Sequence, residues 1–205
     1  FNNGFSNFYQ NSGADYPPFY IYILWIIGAI SHIFNIDIDL LLKIPAIITD
    51  IATSFLIFHI VRKYTSFNIA LLSVIIYVFN PAIIYTSAIW GQVDSIYTFF
   101  LLFAVYEFVS DKPITSSVLF TLSVLTKPQS LVLLPLFTIL IIKKYSYKML
   151  VKLTCVSTII FLFLSKPFYM NSSVSEIFKL YISSYIEYPF TSLNAFNFWA
   201  LFGMF

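Results

Sequence analysis

Apolar runs recur along almost the whole chain with only short polar breaks between them, and they leave it no soluble fold. They cover 19–34, 44–61, 68–89, 95–109, 114–125, 129–142 and 150–165. A full bilayer crossing takes about 20 apolar residues. The run 68–89 meets that length outright, and 44–61 and 95–109 meet it with flanking residues. The runs 114–125 and 129–142 are short on either side of Lys127-Pro128, and 19–34 is short as well. Only 10% of the 205 residues are charged, where soluble domains average about 25%. With 60% hydrophobic residues and a mean hydropathy of +0.87, lipid must be the solvent for much of the chain. Backbone groups in lipid have to be satisfied internally, which demands helices. The expected fold class is therefore all-α: one polytopic membrane helical bundle over 1–205, with about six or seven hydrophobic helices. Phe1 is not a start methionine, and the chain stops inside a new apolar run, Phe196 to Phe205, so a fragment of a longer chain is expected.

Charge placement orients the runs. Arg62, Lys63, Lys112, Lys143, Lys144, Lys148 and Lys152 fall in short breaks that parity puts on one side, the cytoplasmic one. Run 44–61 then goes in, 68–89 returns, and 95–109 goes in again. Runs 114–125 and 129–142 form a hairpin whose tip, Thr126 to Gln129, is external. Residues 166–195 become an external loop. Residues 1–18 are external if 19–34 is re-entrant or interfacial, and cytoplasmic if it crosses. The outer side thus collects Asp15, Asp50, Asp94, Glu176 and Glu187, with Lys43, Lys127, Lys166 and Lys179 placed against the positive-inside rule. Charges so placed are functional candidates. The net charge of +2 is too small to argue for a nucleic-acid partner. Cys155 is the single cysteine, so it forms no internal disulfide, and it reads as a small apolar filler.

Five polar clusters stand out, each with two readings. Asp15-Tyr16-Pro17-Pro18 precedes a helix; Asp15 is either its N-cap or a carboxylate aimed at a sugar hydroxyl or head group. Lys43-Ile44-Pro45 starts the next helix, and Asp50 follows Lys43 by two turns on one face. Asp50 inside an apolar run needs a partner or a wet cavity; the pair is either an internal ion pair that locks two helices together, or Lys43 binds a phosphate at the outer surface. Asn80-Pro81 interrupts a helix, and Trp90-Gly91-Gln92-Val93-Asp94 follows. That cluster is either an interfacial ring with an N-cap, or a place where a carbohydrate face stacks on Trp90 and hydrogen-bonds to Gln92 and Asp94. In Thr126-Lys127-Pro128-Gln129, Lys127 either snorkels to head groups or binds a lipid-linked phosphate as a point charge. Asn194-Ala195-Phe196-Asn197-Phe198-Trp199 suits both sugar contact and interfacial anchoring. His32 and His59 have no metal-ligand spacing and read as structural. No phosphate loop, nucleophile elbow or zinc motif is visible, and no cofactor or metal is called for.

In this order the five clusters resemble the GT-C class of membrane glycosyltransferases. They are most similar to prokaryotic proteins like the GPI-anchor second mannosyltransferase. The likeness covers almost the whole chain, on Asp15 to Pro18, Lys43 to Asp50, Trp90 to Asp94, Thr126 to Gln129 and Asn194 to Trp199. It implies a multi-pass enzyme of the plasma membrane that takes a sugar from a polyprenyl- or dolichyl-phosphate donor on the external face. The acceptor would be a glycan, lipid or protein. It also implies an external Asp15, and hence a re-entrant 19–34. On this resemblance Asp15, or an acid upstream of Phe1, serves as base near the acceptor. Lys43 and Lys127 hold the donor phosphate. Trp90, Gln92, Asp94 and Gln129 shape the sugar site, and Asn194 and Asn197 line the acceptor side. A fragment lacking its base is expected to be inactive alone. The competing class is a lipid-linked-sugar flippase or other transporter, whose helices are usually Gly-interrupted and built as repeats; only 5 Gly and no repeat are found here.

Overall fold

The computed structural model describes residues 5–6, 8–12, 14–170, 173, 175, 177–179 and 181–182, and all regular structure among them is helical. The all-α membrane class expected from the apolar runs is what the chain forms. It divides into two units: Tyr16–Lys166, and a second made from 3–15 together with 167–205. In the second, helix α1 (Phe8–Ser12) and Phe5 gather rings on Phe168, with centroids 5.0 Å (Phe5), 6.2 Å (Phe8) and 5.4 Å (Tyr9) away.

The main unit opens with α2 (Pro18–Phe34), which the two prolines start. Pro17 takes the extended cap position and Pro18 the first turn. The cap reading of Asp15 is thereby corrected, since a proline already fixes the chain direction there. Asn35, at φ 52°, ends the helix in the left-handed region that asparagine tolerates. Seventeen residues rise about 25 Å, less than the hydrocarbon thickness. Next come α3 (Ile38–Leu41), capped by Asp37, and α4 (Ile44–Tyr64), started by Pro45. Ser66 caps α5 (Phe67–Val78). Asn80 caps the short α6 (Pro81–Ile84) through the amide of Ala82 at 2.9 Å. A π turn, Tyr85–Trp90, follows. The run 68–89 is thus not one straight span: at Phe79-Asn80-Pro81 the axis bends by 47° because Pro81 has no amide to continue the ladder. Helices α7 (Asp94–Val109), α8 (Pro113–Thr126), α9 (Leu134–Lys144) and α10 (Tyr147–Ser165) complete the unit. A 3-10 turn, Pro128–Leu133, stands between α8 and α9, where the apolar run 129–142 had suggested continuous helix. Among the described residues, Ile38–Tyr64 and Tyr147–Phe168 are long and apolar enough to cross a membrane, and the bent pair makes a third if counted as one span.

Small hydroxylated residues let α8 lie close to its neighbours. Ser116 donates to the Ala104 carbonyl of α7 at 2.7 Å, and Ser123 to that of Tyr97 at 2.8 Å. On the other side Ser117 meets Ser157 of α10 at 2.8 Å. Between them, Ala104, Phe108, Leu119, Phe137, Ile141 and Leu153 form the core, with the Phe120 and Phe137 rings 5.0 Å apart. Polar glue with small side chains is how helices associate where lipid removes the hydrophobic drive. Ser116→Val removes the bond and pushes bulk against Ala104, which has no exposed surface. We expect a stability loss of about 1–3 kcal/mol, read as a lower thermal midpoint in detergent; an unchanged midpoint would contradict this packing.

The acid at membrane depth is also partnered. Asp50 accepts a hydrogen bond from Tyr77 of α5 at 2.9 Å, and among the described residues no ion pair joins it to Lys43. The ion-pair reading of that spacing gives way to a neutral donor on the neighbouring helix. Tyr77→Phe leaves the carboxylate without this donor. It should cost about 1 kcal/mol, measured by urea or thermal unfolding, and Tyr77→Phe with wild-type stability would remove the pair as a fastener. His59 Nε2 lies 2.9 Å from the Tyr106 hydroxyl of α7, a contact between the two helices. Cys155 is exposed on α10 rather than filling a core gap, because its face of α10 is not the one that meets α8. The α7–α8 loop is latched to the end of α9 by Asp111 and Lys144 at 2.8 Å, with Tyr145 also donating to Asp111. The hydrogen bond from Lys144 holds the Asp111 carboxyl below its ordinary range, and Asp111 raises Lys144. Asp111's share of the latch fades only as pH falls through its lowered pKa, and Lys144's only as pH rises through its raised one. The latch therefore stays charged across the neutral range.

Candidate functional site

Two prolines and a glycine build one charged corner at the start of α7. Pro128 bars helical backbone at the residue before it. Lys127 accordingly turns extended, at φ −153° and ψ 130°, and ends α8. Its amide still bonds the Ser123 carbonyl at 2.9 Å. The flanking hydroxyls are fully buried: Ser123 meets Ser130 at 2.6 Å, and Thr126 bonds back to Leu122 at 2.7 Å. The backbone under Lys127 is therefore fixed from both sides. Its side chain reaches to α7, where Nζ lies 2.5 Å from Asp94 Oδ1 and 5.6 Å from the centre of the Tyr97 ring.

Asp94 is the first residue of α7, not its cap; Val93 caps the helix, and its side chain is buried with Tyr20 and Ile96. A carboxylate in the first turn suits the helix dipole. The pair is not sealed off: the Lys127 side chain is 19% exposed and that of Asp94 40%. It can therefore exchange its partners for a ligand without opening a core.

Gly91 brings the second lysine. It closes the π turn at φ 75°, a left-handed conformation in which glycine carries no penalty. A Cβ placed there would lie 3.3 Å from Lys43 Cγ and 3.7 Å from the Leu42 carbonyl group. The Lys43 stem thus rests on Gly91, three residues before Asp94. The turn is pinned by a buried 2.7 Å contact between the Ser87 and Ser95 hydroxyls and by the Gln92 amide on the Thr86 carbonyl at 2.8 Å. Motifs that are 43, 90–94 and 126–129 in sequence meet at one corner. The ammonium observed there is that of Lys127, paired with Asp94, while Lys43 contributes its stem.

The other candidates divide. Trp90 is exposed, Gln92 half-buried and Gln129 exposed, all on segments that join this corner. Asp15 is half-buried and belongs to the second unit. Asn194 and Asn197 lie outside the described residues. Sequence reasoning missed Tyr97, whose signal was its position one turn after Asp94 on the same helix face. It also missed the buried hydroxyls Ser123 and Ser130, which flank Lys127-Pro128 in the sequence.

The sequence profile described as dolichyl-phosphate-mannose-protein mannosyltransferase matches residues 15–170, a stretch that holds four of the five motifs. No curated protein and no solved structure matches the chain. The profile match bears out the GT-C-like mannosyltransferase likeness drawn from the motifs, and a glycosyltransferase rather than a flippase is the class it supports. With three quarters of the chain under that profile, the chain belongs to the dolichyl-phosphate-mannose-protein mannosyltransferase family.

Proposed function

We propose that this chain moves a hexose, mannose by family, from a polyprenyl- or dolichyl-phosphate donor to an acceptor hydroxyl at the external face of a multi-pass plasma-membrane enzyme. The observation that carries the reading is Lys127 held at Asp94 at the start of α7, with the Lys43 stem against Gly91 three residues before it. A glycosyl phosphodiester carries one negative charge, which Lys127 and, from the neighbouring stem, Lys43 would receive. Transfer forms a bond from the acceptor oxygen to the anomeric carbon and breaks the bond from that carbon to the phosphate oxygen. The electron pair leaves with the phosphate, which becomes a monoester of greater negative charge. A fixed cationic corner stabilises that developing charge more than it does the starting diester, which is the condition for accelerating the step. The acceptor's proton goes to a carboxylate, here assigned to Asp15. Trp90, Gln92, Asp94 and Gln129 are assigned to the sugar, and Asn194 and Asn197 to the acceptor side.

The test combines chemistry with topology on the full-length protein reconstituted in liposomes. Donor with a radiolabelled mannose is supplied together with a membrane extract as acceptor source. Label should leave the donor pool and enter the acceptor fraction. On a Cys155→Ser background, Asp15→Cys, Asp94→Cys and Lys127→Cys should each react with an impermeant maleimide added outside. Label that crosses the bilayer while still attached to its lipid phosphate would support the flippase class instead. A protected position 15 beside a labelled position 94 would exclude Asp15 from a common site.

A further inference from the structure

Tyr85 belongs to none of the five motifs, yet it is one of two exposed rings on the turn that leads into the charged corner. Tyr85 is 54% exposed and Trp90 63%, with ring centroids 6.2 Å apart at 70°. In an α-helix of 3.6 residues per turn, side chains five apart diverge. The turn from Tyr85 to Trp90 closes one residue wider, as a π turn, and that register brings Trp90, five positions on, back towards Tyr85. Single π turns are rare and concentrate at functional sites.

The turn is held rigid at both ends. Asn80 caps the preceding α6, Thr86 bonds the Ala82 carbonyl at 2.8 Å, and Ser87 is buried against Ser95. The two rings stand on a pinned turn that continues directly into Gly91 and Gln92, with the Lys43 stem resting on Gly91. Rings at 70° make an angled corner, and a hexose offers what it takes: an apolar C–H face for one ring, an edge for the other, and hydroxyls for an amide such as that of Gln92.

We propose that Tyr85 and Trp90, paired by the π turn, form the stacking platform for the hexose ring of the lipid-linked donor. This rests on the phosphate-corner reading above. It adds Tyr85 as a sugar-contacting residue and the π turn as the device that presents it. The donor sugar is the occupant because it is covalently joined to the phosphate that Lys43, at Gly91, and Lys127, at Asp94, would hold, one and four residues beyond Trp90.

Two ligands separate the platform from the phosphate corner: the polyprenyl-phosphate hexose and the same polyprenyl phosphate without sugar. Binding of each is measured on the full-length protein in nanodiscs. Tyr85→Ala and Trp90→Ala should each weaken the glycosylated ligand about tenfold and leave the bare phosphate unchanged. Tyr85→Phe and Trp90→Phe keep a ring and should stay within about twofold of wild type, which also controls for folding of the turn. Lys127→Ala should weaken both ligands, and the bare phosphate monoester at least as much as the glycosylated diester. If the alanine variants weaken neither ligand, or weaken both equally while Lys127→Ala still weakens both, the platform is overturned and the corner survives. If Lys127→Ala weakens neither, the phosphate corner falls and the platform falls with it.

Discussion

Lys127→Ala in the full-length enzyme lowers turnover by about a hundredfold or more, with the loss mainly in kcat if the lysine serves the departing phosphate. The reason is geometric. Lys127 is held extended by Pro128 and footed on fully buried Ser123, Thr126 and Ser130, so its ammonium has little freedom to be replaced by a neighbour. Lys127→Arg keeps the charge but not the compact ammonium that fits 2.5 Å from Asp94 and above Tyr97, and should recover only part of the rate. Asp94 complicates the measurement in a useful way. Asp94→Ala alone leaves Lys127 without its partner, and the double variant should lose less than the sum of the two singles, because paired residues are not additive. Strict additivity in kcat/KM would mean that the two act separately in the reaction.

Gly91→Ala is the second large effect, and it acts through Lys43. The added methyl meets two obstacles. Backbone at φ 75° costs a residue with a side chain roughly 1–2 kcal/mol. The methyl also falls 3.3 Å from Lys43 Cγ, so the lysine stem must shift by a few tenths of an ångström. Donor affinity should drop about tenfold, with a modest fall in thermal midpoint. Trimming the stem relieves the contact, so on a Lys43→Ala background the same glycine substitution should affect affinity far less. An equal effect on both backgrounds would show that Gly91 serves the turn alone.

Much of this was legible in the sequence, and the reasons differ by element. The starts of α2, α4, α6 and α8 follow from prolines, whose fixed φ and missing amide act locally. Lys127 and Asp94 were singled out because charge beside apolar runs is costly wherever the fold puts it. Their pairing was not legible: 33 residues separate them, and only the packing of α7 on α8 brings them together. Asp50 shows the same limit. Its spacing from Lys43 suggested a partner on its own helix, while the partner is Tyr77, a neutral residue on the next one. The π turn left no sequence signal either, since hydrophobic periodicity over 68–89 reads the same for a straight helix as for one that breaks at Pro81 and widens at Tyr85. Among the described residues, helices long and apolar enough to cross alone are fewer than the apolar runs for a related reason. Lys127-Pro128 splits 114–142 into an α-helix, a 3-10 turn and a second short helix, none of them able to span alone.

The most direct measurement is equilibrium binding of polyprenyl phosphate, without sugar, to full-length protein carrying Lys43→Ala, Lys127→Ala, or both. A shared phosphate corner predicts that each single change weakens binding about tenfold, that the double variant weakens it further, and that added salt erodes the wild-type affinity more than that of the double variant. Wild-type affinity in both single variants, with their thermal midpoints intact, would contradict the assignment of these lysines to the donor.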